Sequence, residues 1–100
     1  MFRVILSFSV SALVLLSLLT QINAAKLGDR CSLDIRCAHE LWCDPSPGQC
    51  GTAARGGACV RVKQLCLQLT RPVCGCNGNT YANDCQRIRS RVAKSHDGKC

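Results

Sequence analysis

Apolar residues dominate the N-terminal end of the chain, in a short run from Val10 to Leu19. Arg3 precedes this run, and the small residues Ala24 and Ala25 follow it. A basic start, a short apolar run and small residues at its end are typical of a secretory signal peptide. A membrane anchor would need about 20 apolar residues. The pattern predicts a signal peptide over residues 1–24, cleavage after Ala24 or alternatively Ala25, and a secreted chain without a membrane anchor.

Further along the chain, polar turn residues separate two short stretches of strand-forming residues. Residues 71–74 and 80–81 flank Asn77-Gly78, a dipeptide that tolerates positive φ and favours a tight hairpin turn. Pro72 lacks a backbone N–H, so the strand that contains it should lie at an edge or begin there. The pattern predicts a hairpin here and a second short strand pairing around residues 95–98.

A helix is predicted directly after the hairpin. Asn83 or Asp84 can accept a hydrogen bond from the first free amides of a helix that runs to about Val92. Cys85, Ile88 and Val92 fall on one face of this helix. The opposite, solvated face is predicted to carry four basic residues: Arg87, Arg89, Arg91 and Lys94. Hairpin and helix together predict a small α+β unit.

The preceding segment has no helical or alternating pattern. Four cysteines separated by five, five and six residues occupy it, namely Cys31, Cys37, Cys43 and Cys50. Pro45, Pro47 and Gly48 mark turns between them. We therefore divide the chain into a Cys-rich N-terminal module over residues 25–51, a connector of small residues over 52–58, and a second domain over 59–100.

Composition adds a covalent constraint to this picture. All ten cysteines lie among the 76 residues that follow the signal peptide. Such a density in a short secreted chain indicates a small disulfide-rich fold with five bridges and no free thiol. A chain of this length buries too little apolar surface to be stable without crosslinks. Four cysteines allow three pairings and six allow 15, so spacing alone leaves the pattern of bridges open.

The charge of the chain excludes some partners. Residues 25–100 keep 12 of the 13 basic residues and all six acidic ones, so their net charge is +6 with both histidines neutral. This balance either attracts anionic polymers and acidic protein surfaces or only promotes solubility. Only Trp42 and Tyr81 are aromatic in this part, and the basic residues form no run, so we expect no nucleic-acid binding.

The sequence contains no constellation for catalysis. His39 and His96 lie in different units, and no phosphate-binding loop or nucleophile motif is present. A metal site built on Cys74, Cys76 and His96 would need free thiolates in a secreted chain. We therefore expect no enzyme activity, no cofactor and no metal.

The spacing of the later cysteines resembles a known family. Seven residues separate Cys66 from Cys74, six separate Cys74 from Tyr81, and three separate Tyr81 from Cys85. This spacing resembles the Kazal domain, a small fold with a short antiparallel sheet and one helix that blocks serine proteases with an exposed loop. The additional Cys76 gives a Cys-Gly-Cys variant, which is similar to Kazal-like secreted proteins that carry a small Cys-rich segment upstream.

The resemblance also implies a pattern of bridges. It pairs Cys66 with Cys85 and Cys74 with Cys100. The usual fifth Kazal cysteine is absent after Cys85, so Cys59 is expected to pair with the additional Cys76. The upstream cysteines then close among themselves, as Cys31–Cys43 and Cys37–Cys50.

In Kazal domains the residue two positions after the second cysteine enters the specificity pocket of the protease. That residue is Gln68 here, so the resemblance implies a scissile bond between Gln68 and Leu69. Leu67, Thr70 and Arg71 complete the loop around this bond. Asn83 matches the family's asparagine that supports the loop backbone from beneath.

Three positions depart from common Kazal loops and limit the classes of protease that we expect as the partner. Gln68 is neutral and cannot pair with the carboxylate at the base of a trypsin-type pocket. Leu67 replaces the usual threonine, and Leu69 replaces a frequent acidic residue. We therefore expect a monomeric inhibitor of subtilisin-like or elastase-like serine proteases rather than of trypsin.

Non-inhibitory binding functions are the alternative. Leu41-Trp42-Cys43 and Gly48-Gln49-Cys50 faintly resemble the Cys-rich module of insulin-like growth factor binding proteins, which suggests a growth-factor-binding or matrix-binding module. Basic Kazal-like peptides also occur among toxins, so a venom-like ion-channel ligand is the other alternative. Its contact face would be the basic face of the predicted helix.

Overall fold

The computed structural model describes residues 23–51 and 56–100. The predicted signal peptide lies almost wholly outside the described residues. Within them, no helix is long and apolar enough to cross a membrane.

The N-terminal unit is built on a three-stranded antiparallel sheet. Its strands are β1 (Arg30–Cys31), β2 (Leu41–Pro45) and β3 (Gly57–Arg61), in the order β1-β3-β2. Cys43 on β2 lies directly opposite Cys59 on β3. A side chain on Gly57 would collide with the Asp44 carbonyl, so only glycine fits where β3 approaches β2 this closely.

The second unit combines a small sheet with one short helix. Strands β4 (Val73–Gly75), β5 (Thr80–Tyr81) and β6 (Lys94–Asp97) form an antiparallel sheet in the order β5-β4-β6. The predicted hairpin at Asn77-Gly78 is confirmed, with φ of +82° at Gly78. Although β4 is the central strand, it begins directly after Pro72, so the missing N–H costs no ladder hydrogen bond.

Helix α1 (Asp84–Arg89) begins where the sequence predicts but is shorter. Asn83 caps it, while its C-terminal end is closed by Ser90, whose N–H donates to the carbonyls of Gln86 and Arg87. Arg91 then adopts a left-handed conformation with φ of +52°. The predicted extension to Val92 is therefore wrong.

Half-cystines make up most of the core. The buried apolar residues of the described part are Ala25, Cys31, Cys59, Val73 and Cys74. Cys31 and Cys59 pack with Cys37, Leu41 and Cys43 in the N-terminal unit. Crosslinks therefore occupy the positions that larger aliphatic residues fill in bigger proteins.

Five disulfides use all ten cysteines. Three pairs coincide with the expected ones, namely Cys31–Cys43, Cys66–Cys85 and Cys74–Cys100. The other two expectations, Cys37–Cys50 and Cys59–Cys76, are corrected to Cys37–Cys59 and Cys50–Cys76. The reason is sheet pairing: β3 carries Cys59 into the N-terminal sheet beside Cys43, where Cys37 reaches it.

The same strand changes the division of the chain. Residues 57–61 pair with β1 and β2, although the sequence pattern assigned them to the connector and to the start of the second domain. Sheet pairing thus extends the N-terminal unit to Arg61. The Cys50–Cys76 bridge then joins the two units covalently.

A buried arginine provides the second connection between the units. The Arg87 side chain is 3% exposed, and its Nη1 and Nη2 donate to the two carboxylate oxygens of Asp44 on β2 at 2.9 and 3.0 Å. Its Nε donates to Asp84 at 2.8 Å, and Nη1 also donates to the Val92 carbonyl at 2.8 Å. This bidentate geometry satisfies the guanidinium inside the protein.

The basic face predicted for the helix is therefore not formed. Arg87 points inward, and Lys94 lies on β6, where it pairs with Asp84 and Asp97. Burial alone would raise the pKa of Asp84, but hydrogen bonds from Arg87 and Lys94 outweigh burial and hold this pKa below its usual value. Only Arg89 and Arg91 of the predicted four are exposed.

The two corrected bridges predict a simple outcome of proteolysis. When the denatured, unreduced and thiol-blocked protein is digested with trypsin, Cys37–Cys59 and Cys50–Cys76 should keep the fragments on both sides of Arg55 in one covalent assembly. The pairing Cys37–Cys50 with Cys59–Cys76 would instead release two separate assemblies. Mass spectrometry before and after reduction distinguishes these results, and two assemblies would overturn the structural pairing.

The buried ion pair predicts a large stability effect. Asp44→Asn should lower the free energy of unfolding by about 3 kcal/mol, because it leaves the buried Arg87 without its bidentate carboxylate. Chemical denaturation with the bridges intact measures the change. Asp34→Asn, which removes an exposed carboxylate, is the matched control and should change stability by less than about 0.5 kcal/mol. Equal effects of both variants would contradict the role of Arg87.

Candidate functional site

The two most exposed large apolar side chains of the described residues, Leu65 and Leu67, lie in the loop between β3 and β4. Leu65, Leu67 and Leu69 are 87%, 78% and 63% exposed, and Gln68 between them is exposed as well. Burying such side chains against a partner releases about 25 cal/mol per Å² of apolar surface. Their alternation along the loop therefore marks a surface suited to contact.

Both ends of this loop are fixed to one short segment, residues 82–85. At the N-terminal end, the disulfide Cys66–Cys85 attaches the loop to helix α1. At the other end, the Arg71 N–H donates to the Ala82 carbonyl at 2.8 Å. Both anchors belong to this four-residue segment. The two ends of the loop are therefore held at a nearly fixed separation.

Asn83 holds the middle of the loop from beneath. It is 8% exposed, and its Nδ2 donates to the Leu67 carbonyl at 3.3 Å and to the Leu69 carbonyl at 2.8 Å. Its Oδ1 accepts from the Gln86 N–H at 2.9 Å and so caps helix α1. One side chain thus connects the start of the helix to the carbonyls on both sides of Gln68.

Gln68 occupies the tip of a tight turn. The Leu69 N–H donates to the Leu67 carbonyl at 2.9 Å, which closes a three-residue turn centred on Gln68. Gln68 is not among the residues of positive φ, so this is an inverse γ-turn, a low-energy conformation. The turn presents the Gln68 side chain outward while its neighbours' carbonyls face Asn83.

A cleft of about 510 Å³ lies beside the loop, bounded by Leu65, Leu67, Leu69 and Asn83. Backbone hydrogen bonds and a disulfide fix the shape of the loop, which leaves its apolar side chains available to a partner.

The structure brings the predicted site residues together around this loop. Gln68, Leu69 and Thr70 are exposed, and Asn83 lies beneath them. Leu67 and Arg71 contribute backbone groups to the contacts that hold the loop, whereas Thr70 takes part in none of the hydrogen bonds found within residues 56–100. The Ala82 carbonyl was missed, because no side-chain signal marks a backbone acceptor.

Three sulfur atoms come close together in the N-terminal core. The Sγ atoms of Cys31, Cys37 and Cys59 lie within 4.8 Å of one another. All three belong to disulfides, so none is a thiolate that could bind a metal ion. We interpret this cluster as two packed bridges.

Comparison with known proteins gives one informative match. The chain is 35% identical over 85 residues to ovoinhibitor of Gallus gallus, which covers 78% of this chain. The chain spans only 15% of the length of that relative. No family model matches the chain, and no solved structure matches it. This relative is named as an inhibitor, which agrees with the expectation that the chain is not an enzyme.

The two hydrogen-bonding roles of Asn83 can be separated by substitution. Asn83→Asp keeps an oxygen for the helix cap but loses the donor to the loop carbonyls. We expect hydrogen exchange of the Leu69 amide to become about fivefold faster, since a lost hydrogen bond changes local stability by about 1 kcal/mol. Asn83→Ala should additionally lower the free energy of unfolding by about 1 kcal/mol through loss of the cap.

Asn79→Asp, at an exposed position of the hairpin turn, controls for the added negative charge. Hydrogen exchange followed by NMR and chemical denaturation give the two readouts. Unchanged protection of the Leu69 amide in Asn83→Asp would show that Asn83 does not hold the loop.

Proposed function

We propose that this chain is a secreted, monomeric Kazal-type inhibitor of serine proteases, which occupies the active site with the loop around Gln68-Leu69. The observation that carries the proposal is the clamping of this exposed loop by Asn83 on both sides of Gln68. A loop fixed in one shape before binding loses little conformational entropy when it enters a protease cleft.

The same anchors account for inhibition instead of cleavage. Attack by the protease serine on the Gln68 carbonyl would form an acyl-enzyme and free the Leu69 amine. In a flexible substrate this amine departs, and water then hydrolyses the acyl-enzyme. Here the disulfide of Cys66 and the hydrogen bonds to Leu69 and Arg71 would retain the amine beside the acyl carbon. The peptide bond would therefore re-form.

The match to ovoinhibitor supports this proposal, because that protein is named as an inhibitor. The match covers 78% of this chain, which is more than the cysteine motif alone.

The chemistry of the loop favours one group of proteases. Gln68 carries no charge, and Leu65, Leu67 and Leu69 offer apolar contacts on both sides of it. A trypsin-type pocket with a buried carboxylate would leave that charge unpaired against glutamine. We therefore propose a subtilisin-like or elastase-like target with apolar subsites.

Secretion agrees with the covalent structure. Five disulfides persist in oxidising compartments and are rare in the cytosol. Ala25 is buried, and its N–H donates to the Arg36 carbonyl at 2.9 Å. Cleavage after Ala25 would remove a residue of the core, so we favour cleavage after Ala24.

The ion-channel alternative loses its support in this fold. It relied on a face formed by Arg87, Arg89, Arg91 and Lys94, and two of these cations are held in internal ion pairs.

Exchange of one loop residue tests the proposal by gain of function. The refolded protein should inhibit subtilisin or elastase stoichiometrically and leave trypsin active. Gln68→Lys should bind trypsin about 100-fold more tightly, because the added ammonium pairs with the pocket carboxylate. Gln68→Pro should abolish inhibition of all these enzymes.

Leu65→Lys adds the same charge at an exposed position three residues earlier and is the matched control. It should gain no inhibition of trypsin. Titration of enzyme activity measures each variant. No inhibition by the unaltered protein, with all five bridges intact, would overturn the proposed function.

A further inference from the structure

Most of the positive charge of this protein is not neutralised internally. The four ion pairs found in residues 23–51 and 56–100 use only Arg87 and Lys94 as cations. All six acidic residues lie within these ranges. The remaining described Lys and Arg side chains are exposed and available to an external anion.

Three of these cations lie together at the N-terminal end of the loop. Arg61 ends β3, and Lys63 follows it; both border a hollow of about 170 Å³ against Cys85 and Ile88. Arg89 joins them from helix α1, where its Nη1 donates to the Gln64 carbonyl at 3.4 Å. We name Arg61, Lys63 and Arg89 the basic flank.

The basic flank is fixed relative to the loop. The hollow that it borders includes Cys85, which is bonded to Cys66 at the start of the loop. Lys63 also borders the cleft beside the loop. Strand β3 belongs to the N-terminal sheet, which Arg87 and the Cys50–Cys76 bridge connect to the second unit. The charges therefore keep a defined position relative to Gln68.

We infer that the basic flank docks against an acidic surface of the target protease, beside the part of its cleft that binds residues preceding the scissile bond. This inference rests on the proposed function and adds one property of the target protease, an acidic surface beside its cleft. Lys63 precedes Gln68 by five residues, a span of at most about 18 Å. An interface of about 800 Å² per partner has a radius of about 16 Å, so Lys63 falls within this interface or at its rim.

A rim position determines what these charges do. Exposed charges at the edge of an interface accelerate association and make it dependent on salt, and they contribute little to the lifetime of the complex. We expect the basic flank to raise the association rate with an acidic protease and to leave the dissociation rate unchanged.

A linear sulfated glycan fits this surface less well. Such a polymer needs a continuous row of cations, but Glu40 shares a hollow with Arg61 on one side. On the other side, Asp84 and Asp97 border the cleft that begins at Lys63. The same two hollows also contain the cations Lys26 and Arg71, so carboxylates interrupt the row of cations on either side of the basic flank. An interrupted row suits a local acidic patch on a protein better than a long linear polyanion.

The test compares two double variants that lose the same charge. Arg61→Gln with Lys63→Gln removes two charges of the flank and leaves the Arg89 contact to Gln64 in place. Arg30→Gln with Arg36→Gln removes two exposed charges from strand β1 and the loop after it. Association and dissociation rates are measured by stopped-flow with subtilisin, elastase, chymotrypsin and trypsin, at ionic strengths where the Debye length is about 30 Å and about 8 Å.

For at least one inhibited protease, the flank variant should associate about three- to tenfold more slowly at low salt, with little difference at high salt. Its dissociation rate and the rates of the control variant should stay near those of the unaltered protein. Equal effects of both variants, or none, would overturn the inference while inhibition itself persists. Heparin, a linear sulfated glycan, tests the other kind of partner. If the flank variant lost its retention on heparin but kept its association rate with the proteases, the inference would also be overturned. If the unaltered protein inhibits none of the four enzymes, the proposed function itself is overturned, and the inference that rests on it is overturned as well.

Discussion

Covalent crosslinks are the constraint on which the rest of this structure depends. Three of the five buried apolar residues in the described part are half-cystines, and the strands are two to five residues long. Surfaces this small release too little free energy on burial to offset the entropy of ordering the chain. Each bridge instead restricts the unfolded state, by an amount that is typically about 2–4 kcal/mol. The short strands can therefore hold their register without a large hydrophobic core.

The two units are joined by a bridge and by a buried cation, and the two connections have different physical characters. Cys50–Cys76 limits how far the units can separate but leaves rotation about several bonds. Arg87 fixes the relative orientation of the units, because its planar guanidinium donates to both carboxylate oxygens of Asp44 in one bidentate geometry. The Gly48 N–H adds a backbone contact to the Lys94 carbonyl at 2.9 Å. A covalent tether and a directional contact together make one body of two small units.

Sequence reasoning succeeded where structure depends on neighbours along the chain. The turn at Asn77-Gly78 and the start of helix α1 follow from local backbone preferences, and the resemblance to Kazal domains implied the roles of Gln68 and Asn83. It failed for the bridges of Cys37 and Cys59 and for the orientation of Arg87. Both depend on β3 crossing into the N-terminal sheet, and no local pattern records which sheet a five-residue strand joins. Helical periodicity likewise cannot show that an arginine finds a partly buried carboxylate 43 residues away.

Each contact between the scaffold and the loop tip reaches a main-chain atom. Asn83 donates to two carbonyls, and Ala82 accepts from an amide, so none of these bonds depends on which side chains the loop carries. Mutations at Leu65, Gln68 or Leu69 can therefore accumulate without loss of folding. Gene duplicates of such a chain would diversify their targets faster than their frameworks, and the framework offers a display scaffold into which foreign recognition sequences can be grafted.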